Sequence, residues 1–145
     1  MSERLHYHFI GIGGIGMSAI AQILHERGET VSGSDRQASD VTRRLESMGI
    51  PVNIGHFENN VNGADVVIYT AAVTRDNPEM VQARKKGIPM LERPAMLGRI
   101  MEPYKHRVAV SGTHGKTTTS SMISVIFDRA KLDASVLVGG DVKCL

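Results

Sequence analysis

The chain has 145 residues, of which 41% are hydrophobic and 22% are charged, and its formal net charge is +2. This composition is typical of a globular chain, and its interspersed basic and acidic residues argue against a surface that binds nucleic acid or membrane. The single cysteine, Cys144, excludes an internal disulfide. Because no apolar run approaches the roughly 20 residues of a membrane helix, we expect a cytoplasmic protein.

Strands alternate with helices along the first two thirds of the chain. Ser39 is predicted to cap the second helix, and Asn77, which precedes Pro78, is predicted to cap the third. This alternation predicts an α/β fold, a Rossmann-like parallel sheet flanked by helices. The strands of that sheet are predicted at 7–12, 30–35, 51–55, 65–73 and 88–91.

The last third of the chain repeats the plan of strand, glycine loop and helix once. Residues 103–106 read as a linker, and 107–112 as a strand. The helix that follows is predicted to turn Met122 and Ile126 inward, and 135–140 are predicted to form another strand. One such unit buries too little apolar surface to fold as an independent domain.

These elements predict two domains of unequal completeness. Residues 1–102 are assigned to the Rossmann-like domain, 103–106 to the linker, and 107–145 to the truncated start of a second domain. The last helix and strand of the second domain would leave apolar faces uncovered, so we expect these elements either to be disordered or to pack against a second copy of the chain.

The stretch "GIGGIG" (11–16) lies directly after a predicted strand and before a helix. Gly11 would permit the tight turn, Gly13 would let the backbone approach a pyrophosphate, and Gly16 would allow the helix to pack close to the strand. Asp35 ends the second strand, where a carboxylate could accept a ribose hydroxyl. The pattern favours a nucleotide diphosphate, for which NAD in a dehydrogenase or sensor is the commonest case.

The stretch "SGTHGKTT" (111–118) is the second candidate phosphate loop. Lys116 would reach the β- and γ-phosphates, and the Thr117 hydroxyl would ligate Mg²⁺. Val110 stands where the longer form of this motif has its first glycine, so the loop is a shortened variant. The residues whose backbone would wrap the phosphates are Gly112, Thr113, His114, Gly115, Lys116, Thr117 and Thr118.

Together, "GTHGKTTT" and "HFIGIGGIGMSAIA" closely resemble the Mur ligases of peptidoglycan synthesis, which make the cell wall that sets cell shape and allows cell division. The similarity runs over essentially the whole chain and includes "SGSD", "TAAVTRDNPE" and "ERPAMLGRIM". The short phosphate loop is the form that this family uses. Its "THG" variant resembles the members that join L-alanine to UDP-N-acetylmuramate or recycle murein peptides, and "GIGGIGMS" favours the former.

The resemblance implies an ATP-dependent amide-forming ligase with Mg²⁺ as cofactor. The muramate carboxylate of UDP-N-acetylmuramate would attack the γ-phosphate of ATP, and the amine of L-alanine would displace phosphate from the acyl phosphate. Lys116 and Thr117 would be the catalytic residues. The UDP-sugar would contact Gly11, Gly13, Gly14, Ile15, Gly16, Ser34, Asp35, His56, Thr70, Ala71 and Ala72.

The resemblance also implies an N-terminal fragment, since the alanine-binding domain and further Mg²⁺-binding groups would lie beyond residue 145. We expect the fragment to bind UDP-sugar and to be inactive as a ligase. A nucleotide-binding interaction module without chemistry remains an alternative, as does the NAD-binding domain.

Overall fold

The computed structural model describes residues 4–138. The chain forms two compact units, a first that ends at Glu102 and a second that begins at Pro103. The strands of the first unit are β1 (His6–Ile10), β2 (Thr30–Asp35), β3 (Val52–Ile54), β4 (Val66–Tyr69) and β5 (Met90–Glu92). Its helices are α1 (Ile15–Glu26), α2 (Asp40–Ser47), α3 (Pro78–Lys85) and α4 (Arg93–Met101), with a 3-10 helix at Glu58–Val61. Within the described range, no helix is long and apolar enough to cross a membrane.

The five strands form one parallel sheet in the order β3-β2-β1-β4-β5. This confirms the predicted α/β architecture. The chain first builds outward from β1 to β2 and β3, and then crosses back to place β4 on the other side of β1. A reversal of this kind leaves a crevice at the carboxyl ends of the two central strands, where doubly wound proteins bind ligands.

Apolar side chains from the helices pack onto the sheet. Helix α1 contacts β2, α2 and α4, and its buried side chains include Met17, Ile20, Ala21 and Leu24. Helix α3 contacts the 3-10 helix. A second cluster is formed by Ile10, Val61, Ala64, Val67, Met80 and Ala83. Burial of such apolar side chains stabilises the fold by roughly 1.5–3 kcal/mol for each large residue.

The helix starts follow local sequence signals. The Ser39 hydroxyl accepts a hydrogen bond from the Thr42 N–H, and the Thr42 hydroxyl accepts one from the Ser39 N–H, which completes a capping box. The Asn77 side chain accepts from the N–H of Glu79 and Met80, and Pro78 takes the first helical position. Both predicted caps are therefore confirmed.

The predicted strand at 65–73 is too long. Strand β4 ends at Tyr69, and the Val73 N–H donates to the Thr70 carbonyl at 3.0 Å. This hydrogen bond closes a turn, so the chain leaves the sheet four residues earlier than its apolar character indicates. Residues 70–72 consequently lie beyond the carboxyl end of β4 and not within it.

The second unit contains helix α5 (Lys116–Arg129), and no strand forms within its described residues, 103–138. The predicted strand at 107–112 is therefore wrong, and residues 135–138 also lack strand structure. A strand needs backbone partners, and this stretch finds none among residues 4–138. The inward placement of Met122 and Ile126 is wrong as well, because these residues are 63% and 61% exposed. Cys144 and the end of the strand predicted at 135–140 lie outside the described residues.

Candidate functional site

The glycine-rich stretch forms a tight turn at the carboxyl end of β1. Gly11 has a φ of +80°, a left-handed conformation that glycine adopts without steric cost. The backbone N–H groups of Gly11 and Ile12 both donate to the Ser34 carbonyl, at 2.8 and 2.9 Å. The turn is thus fixed to the end of β2 before it enters α1.

The Asp35 carboxylate binds the backbone at Gly13, the residue that was predicted to let the chain approach a pyrophosphate. Its Oδ2 atom accepts a hydrogen bond from the Gly13 N–H at 2.8 Å. The Gly14 N–H donates to the Gly11 carbonyl. No acceptor is recorded within residues 4–138 for the N–H groups of Ile15 and Gly16, which stand in the first turn of α1. These two groups are the donors that the loop offers to an anion.

Arg93 lies against this loop, and sequence analysis did not single it out. A Cβ atom built on Gly16 would overlap the Arg93 guanidinium, which is the nearest group. The prediction that Gly16 serves close packing of α1 on a strand is therefore wrong, since the space that it leaves open is taken by Arg93. This exposed side chain begins α4 directly after β5. It places a positive charge beside Gly16, at the N-terminus of α1.

The turn after β4 lies at the same edge of the sheet. Thr70 is half-buried, and Ala71 and Ala72 are exposed. Because β1 and β4 are parallel neighbours, the glycine loop and this turn follow adjacent carboxyl ends. The structure thereby brings together the two segments that sequence analysis placed in one crevice.

A buried polar cluster lies close to this crevice. The Glu79 side chain, on the first turn of α3, is fully buried. Its Oε1 atom lies 2.9 Å from His8 Nε2, and its Oε2 atom lies 2.7 Å from the Ser34 hydroxyl and 2.6 Å from His56 Nδ1. One carboxylate therefore connects β1, β2, the segment after β3, and α3.

The hydrogen-bond chain continues from His8 toward the opposite end of β1. His8 Nδ1 and His6 Nε2 both contact the Ser32 hydroxyl, at 2.8 and 2.7 Å, and His6 Nδ1 contacts the Gly63 carbonyl at 2.8 Å. Four hydrogen bonds thus run in series from the Gly63 carbonyl to the Glu79 carboxylate.

Burial opposes the ionisation of Glu79, but the hydrogen bonds from His8, Ser34 and His56 outweigh it and lower the pKa of this carboxyl below its ordinary value. The ionised carboxylate accepts hydrogen bonds and donates none. Consequently Ser34 and both ring nitrogens that face Glu79 act as donors.

Ser34 and His56 were both predicted to lie near the ligand, whereas nothing in the sequence singled out Glu79. Ser34 is fully buried, and its hydroxyl is held by Glu79. The His56 side chain keeps 25% of its surface exposed. A glutamate directly after "NP" reads as an ordinary first-turn residue, which favours the helix dipole. Only the convergence of four segments reveals that it is buried.

The second glycine-containing stretch, 111–118, is an exposed turn that leads into α5. Gly115 precedes the helix in a left-handed conformation with φ of +77°, and the Lys116 ammonium donates to the Gly112 carbonyl at 2.6 Å. The first helical hydrogen bond of α5 is donated by the Thr119 N–H to the Gly115 carbonyl. The N–H groups of Lys116, Thr117 and Thr118 precede it and have no carbonyl of an earlier helical turn to bind. This arrangement offers donors to a phosphate, with the lysine folded over the loop.

A shallow cavity of about 280 Å³ lies beside this loop. Lys116 and Thr117 line it, together with Val110, Ser120, Leu137 and Val138. No group of three or more His, Cys, Asp or Glu side chains that could hold a metal is found among the described residues. The Thr117 hydroxyl is one hard oxygen donor, a type of group that Mg²⁺ binds together with phosphate oxygens and water.

Comparison with known proteins places these loops in a family. The family model described as "Mur ligase family, catalytic domain" matches residues 6–105. A UDP-N-acetylmuramate–L-alanine ligase of Acetivibrio thermocellus is 54% identical over 140 residues, which are 97% of this chain and 30% of that protein. The chain thus spans about 30% of the length of the curated relatives it matches.

Solved structures give the same result. The UDP-N-acetylmuramate-alanine ligase of Thermotoga maritima superposes with a TM-score of 0.89 at 38% identity, over 94% of this chain and 32% of that one. The UDP-N-acetylmuramate:L-alanyl-gamma-D-glutamyl-meso-diaminopimelate ligase of Neisseria meningitides has a TM-score of 0.88 at 32% identity, over 96% and 44%. Because a family model covers most of its length, the chain belongs to the Mur ligase family.

Proposed function

We propose that the first unit binds UDP-N-acetylmuramate. The observation that carries this proposal is a pair of N–H groups at a helix N-terminus, those of Ile15 and Gly16. Neither has an acceptor within residues 4–138, and the Arg93 guanidinium lies beside Gly16. Two N–H donors, the positive end of the helix dipole and one arginine form a binding site for a diphosphate. The names of the relatives support the choice of a UDP-sugar.

The remaining groups of the crevice have separate roles in this proposal. Gly11, Gly13 and Gly14 shape the loop, and Asp35 holds it through the Gly13 N–H. Thr70, Ala71 and Ala72 form the wall of the crevice that lies opposite the glycine loop. Their side chains are small, so the ligand can approach the backbone of this turn. The exposed edge of the His56 ring faces the nucleoside. Ser34 is buried, and its hydroxyl contributes through its hydrogen bond to Glu79.

The second unit is proposed to bind ATP. In the ligase reaction, a carboxylate oxygen of UDP-N-acetylmuramate attacks the γ-phosphorus, ADP leaves, and an acyl phosphate forms. The L-alanine amine then attacks the acyl carbon, phosphate leaves with the bond electrons, and the amine loses a proton. Lys116 would neutralise charge on the transferred phosphoryl group. Thr117 would hold Mg²⁺, which supplies further charge neutralisation when bound, and Gly112 to Thr118 would wrap the phosphates.

Three other functions were left open by the sequence, and two of them, an NAD-binding domain and a murein-peptide ligase, can be compared with the relatives. An NAD-binding domain loses its support because the chain belongs to the Mur ligases and carries a second phosphate loop that such a domain does not use. A murein-peptide ligase shares the fold, as the neisserial structure illustrates. The higher identities to the L-alanine ligases favour L-alanine as the substrate.

Isothermal titration calorimetry tests the binding proposal. UDP-N-acetylmuramate should give saturable heat with one site per chain, and NAD should give none. Saturation by NAD, with no heat from the UDP-sugar, would overturn the proposal. When ATP, L-alanine and Mg²⁺ are added, we expect no phosphate release from this chain, since most of the relatives' length has no counterpart in it.

A further inference from the structure

We propose that Glu79 is a positioning residue of the UDP-sugar site, which fixes the tautomer of His56 so that the outer ring nitrogen, Nε2, accepts a hydrogen bond from the nucleoside. This inference rests on the proposed function and adds a role for Glu79. The residue touches no ligand itself, and it acts through His56.

The first step is the direction of the hydrogen bonds. Glu79 Oε2 lies 2.6 Å from His56 Nδ1, and an ionised carboxylate only accepts. Nδ1 of His56 must therefore carry its hydrogen. In a neutral ring the second nitrogen, Nε2, is then without hydrogen and presents a lone pair.

The second step is the rigidity of the carboxylate. Glu79 also binds His8 through Oε1 and the Ser34 hydroxyl through Oε2, at 2.9 and 2.7 Å. The side chains of His8 and Glu79 are fully buried, and Ser34 is buried as a residue. With both oxygens engaged, the carboxylate cannot rotate away, and it holds His56 in one orientation.

The third step is the exposure of the outer edge. The His56 side chain is 25% exposed, and no partner for its Nε2 is recorded within residues 4–138. Phe57, the next residue, is 62% exposed, and its ring covers Gly55. An exposed aromatic face beside a fixed hydrogen-bond acceptor suits a nucleoside, which has a flat base and polar edges.

The lone pair on His56 Nε2 requires a hydrogen-bond donor on the ligand. UDP offers three donors of this kind, the N3–H of uracil and the 2′- and 3′-hydroxyls of ribose. Cytosine has an unprotonated N3, and the 2′-deoxy and 3′-deoxy forms of UDP each lack one hydroxyl. UDP, CDP, 2′-deoxy-UDP and 3′-deoxy-UDP therefore separate the three sources.

The tautomer is measured first in the ligand-free chain, by long-range ¹H–¹⁵N NMR of the imidazoles at about pH 8, where an ordinary histidine is neutral. His56 should carry its hydrogen on Nδ1. In Glu79→Gln this preference should be lost, whereas Glu58→Gln, a change in an exposed glutamate two residues from His56, should preserve it. A neutral His56 with its hydrogen on Nε2 in the unaltered chain would overturn the proposal, even if Glu79→Gln fails to fold.

Affinity for UDP is measured next. Glu79→Gln should weaken UDP binding by about tenfold, and Glu58→Gln should leave it unchanged. His56→Asn keeps a donor toward Glu79 but removes Nε2, and it should weaken UDP binding by about fivefold. That loss should vanish with CDP if the imide is the donor, or with the 2′-deoxy or 3′-deoxy form of UDP if the corresponding hydroxyl is. A loss that persists with all three analogues would contradict the assignment.

The two proposals fail in different ways. If the unaltered chain does not bind UDP, the proposed function is wrong and the role of Glu79 falls with it. If the unaltered chain binds UDP while both variants bind it equally well, only the role of Glu79 and His56 is wrong.

Discussion

The backbone N–H of Gly13 donates to the Asp35 carboxylate at 2.8 Å, and a Cβ atom on Gly13 would lie 2.7 Å from the same oxygen. Only glycine fits here without a shift of Asp35, because a Cβ atom so close to a carboxylate oxygen would overlap it. The hydrogen bond ties the turn after β1 to the end of β2. The loop is thereby held in shape while the N–H groups of Ile15 and Gly16 remain available.

Gly13→Ala should destabilise the chain and weaken UDP-sugar binding. The added methyl group displaces Asp35, and such overpacking costs about 1–3 kcal/mol. Chemical denaturation and calorimetry measure the two effects. Gly98→Ala is the matched control, because Gly98 lies in α4 with no atom within 4 Å of an added Cβ. There alanine should stabilise the helix by up to about 1 kcal/mol. Equal stability changes in the two variants would contradict the role of Asp35.

Arg93→Ala should weaken the binding of UDP and UDP-N-acetylmuramate by about tenfold, because an exposed charged donor beside a diphosphate contributes on the order of 1.5 kcal/mol. The loss should shrink as salt concentration rises. Arg44→Ala, a change in an exposed arginine of α2, controls for the general effect of charge. If both variants bind as the unaltered chain does, Arg93 does not contact the diphosphate.

Acid should destabilise the chain through Glu79. Its pKa is lowered in the folded chain, so its contribution to stability is present above the unfolded pKa of about 4.3 and is lost as pH falls through the folded pKa. The unfolding free energy of the unaltered chain should therefore fall more steeply below about pH 4.3 than that of Glu79→Gln. Urea titrations at a series of acidic pH values test this, and parallel curves would refute it.

Lys116→Ala should weaken the binding of ATP to this chain by tenfold or more, on the order of the contribution of a charged hydrogen bond. The ammonium lies over the loop, on the Gly112 carbonyl at 2.6 Å, from where it can move onto a phosphate. Lys105→Ala alters another exposed lysine of the second unit and should have little effect. Fluorescence titration with a labelled ATP analogue measures both, and equal affinities would argue against a phosphate loop.

The sequence predicts the first unit well wherever the signal is local. The capping residues Ser39 and Asn77 each act within three residues of themselves, and the alternation of strands and helices restricts the topology to a parallel sheet. Strand ends are harder to predict. The apolar run through Val73 hides the turn at Thr70, which depends on a single backbone hydrogen bond.

Features that depend on distant segments could not be read from the sequence. Glu79 meets His8 across 71 residues of chain, and Arg93 reaches Gly16 from the far end of the first unit. In the second unit, strand-like composition at 107–112 does not produce a strand, because β structure requires a paired neighbour as well as propensity.

The most direct test of the central claim is an amide NMR titration of this chain with UDP-N-acetylmuramate, and with NAD in a separate sample. The account predicts saturable shifts at Gly13 to Gly16 and at Thr70 to Ala72 with the UDP-sugar, and none with NAD. Shifts with NAD alone, or UDP-sugar shifts confined to residues outside these two segments, would contradict it.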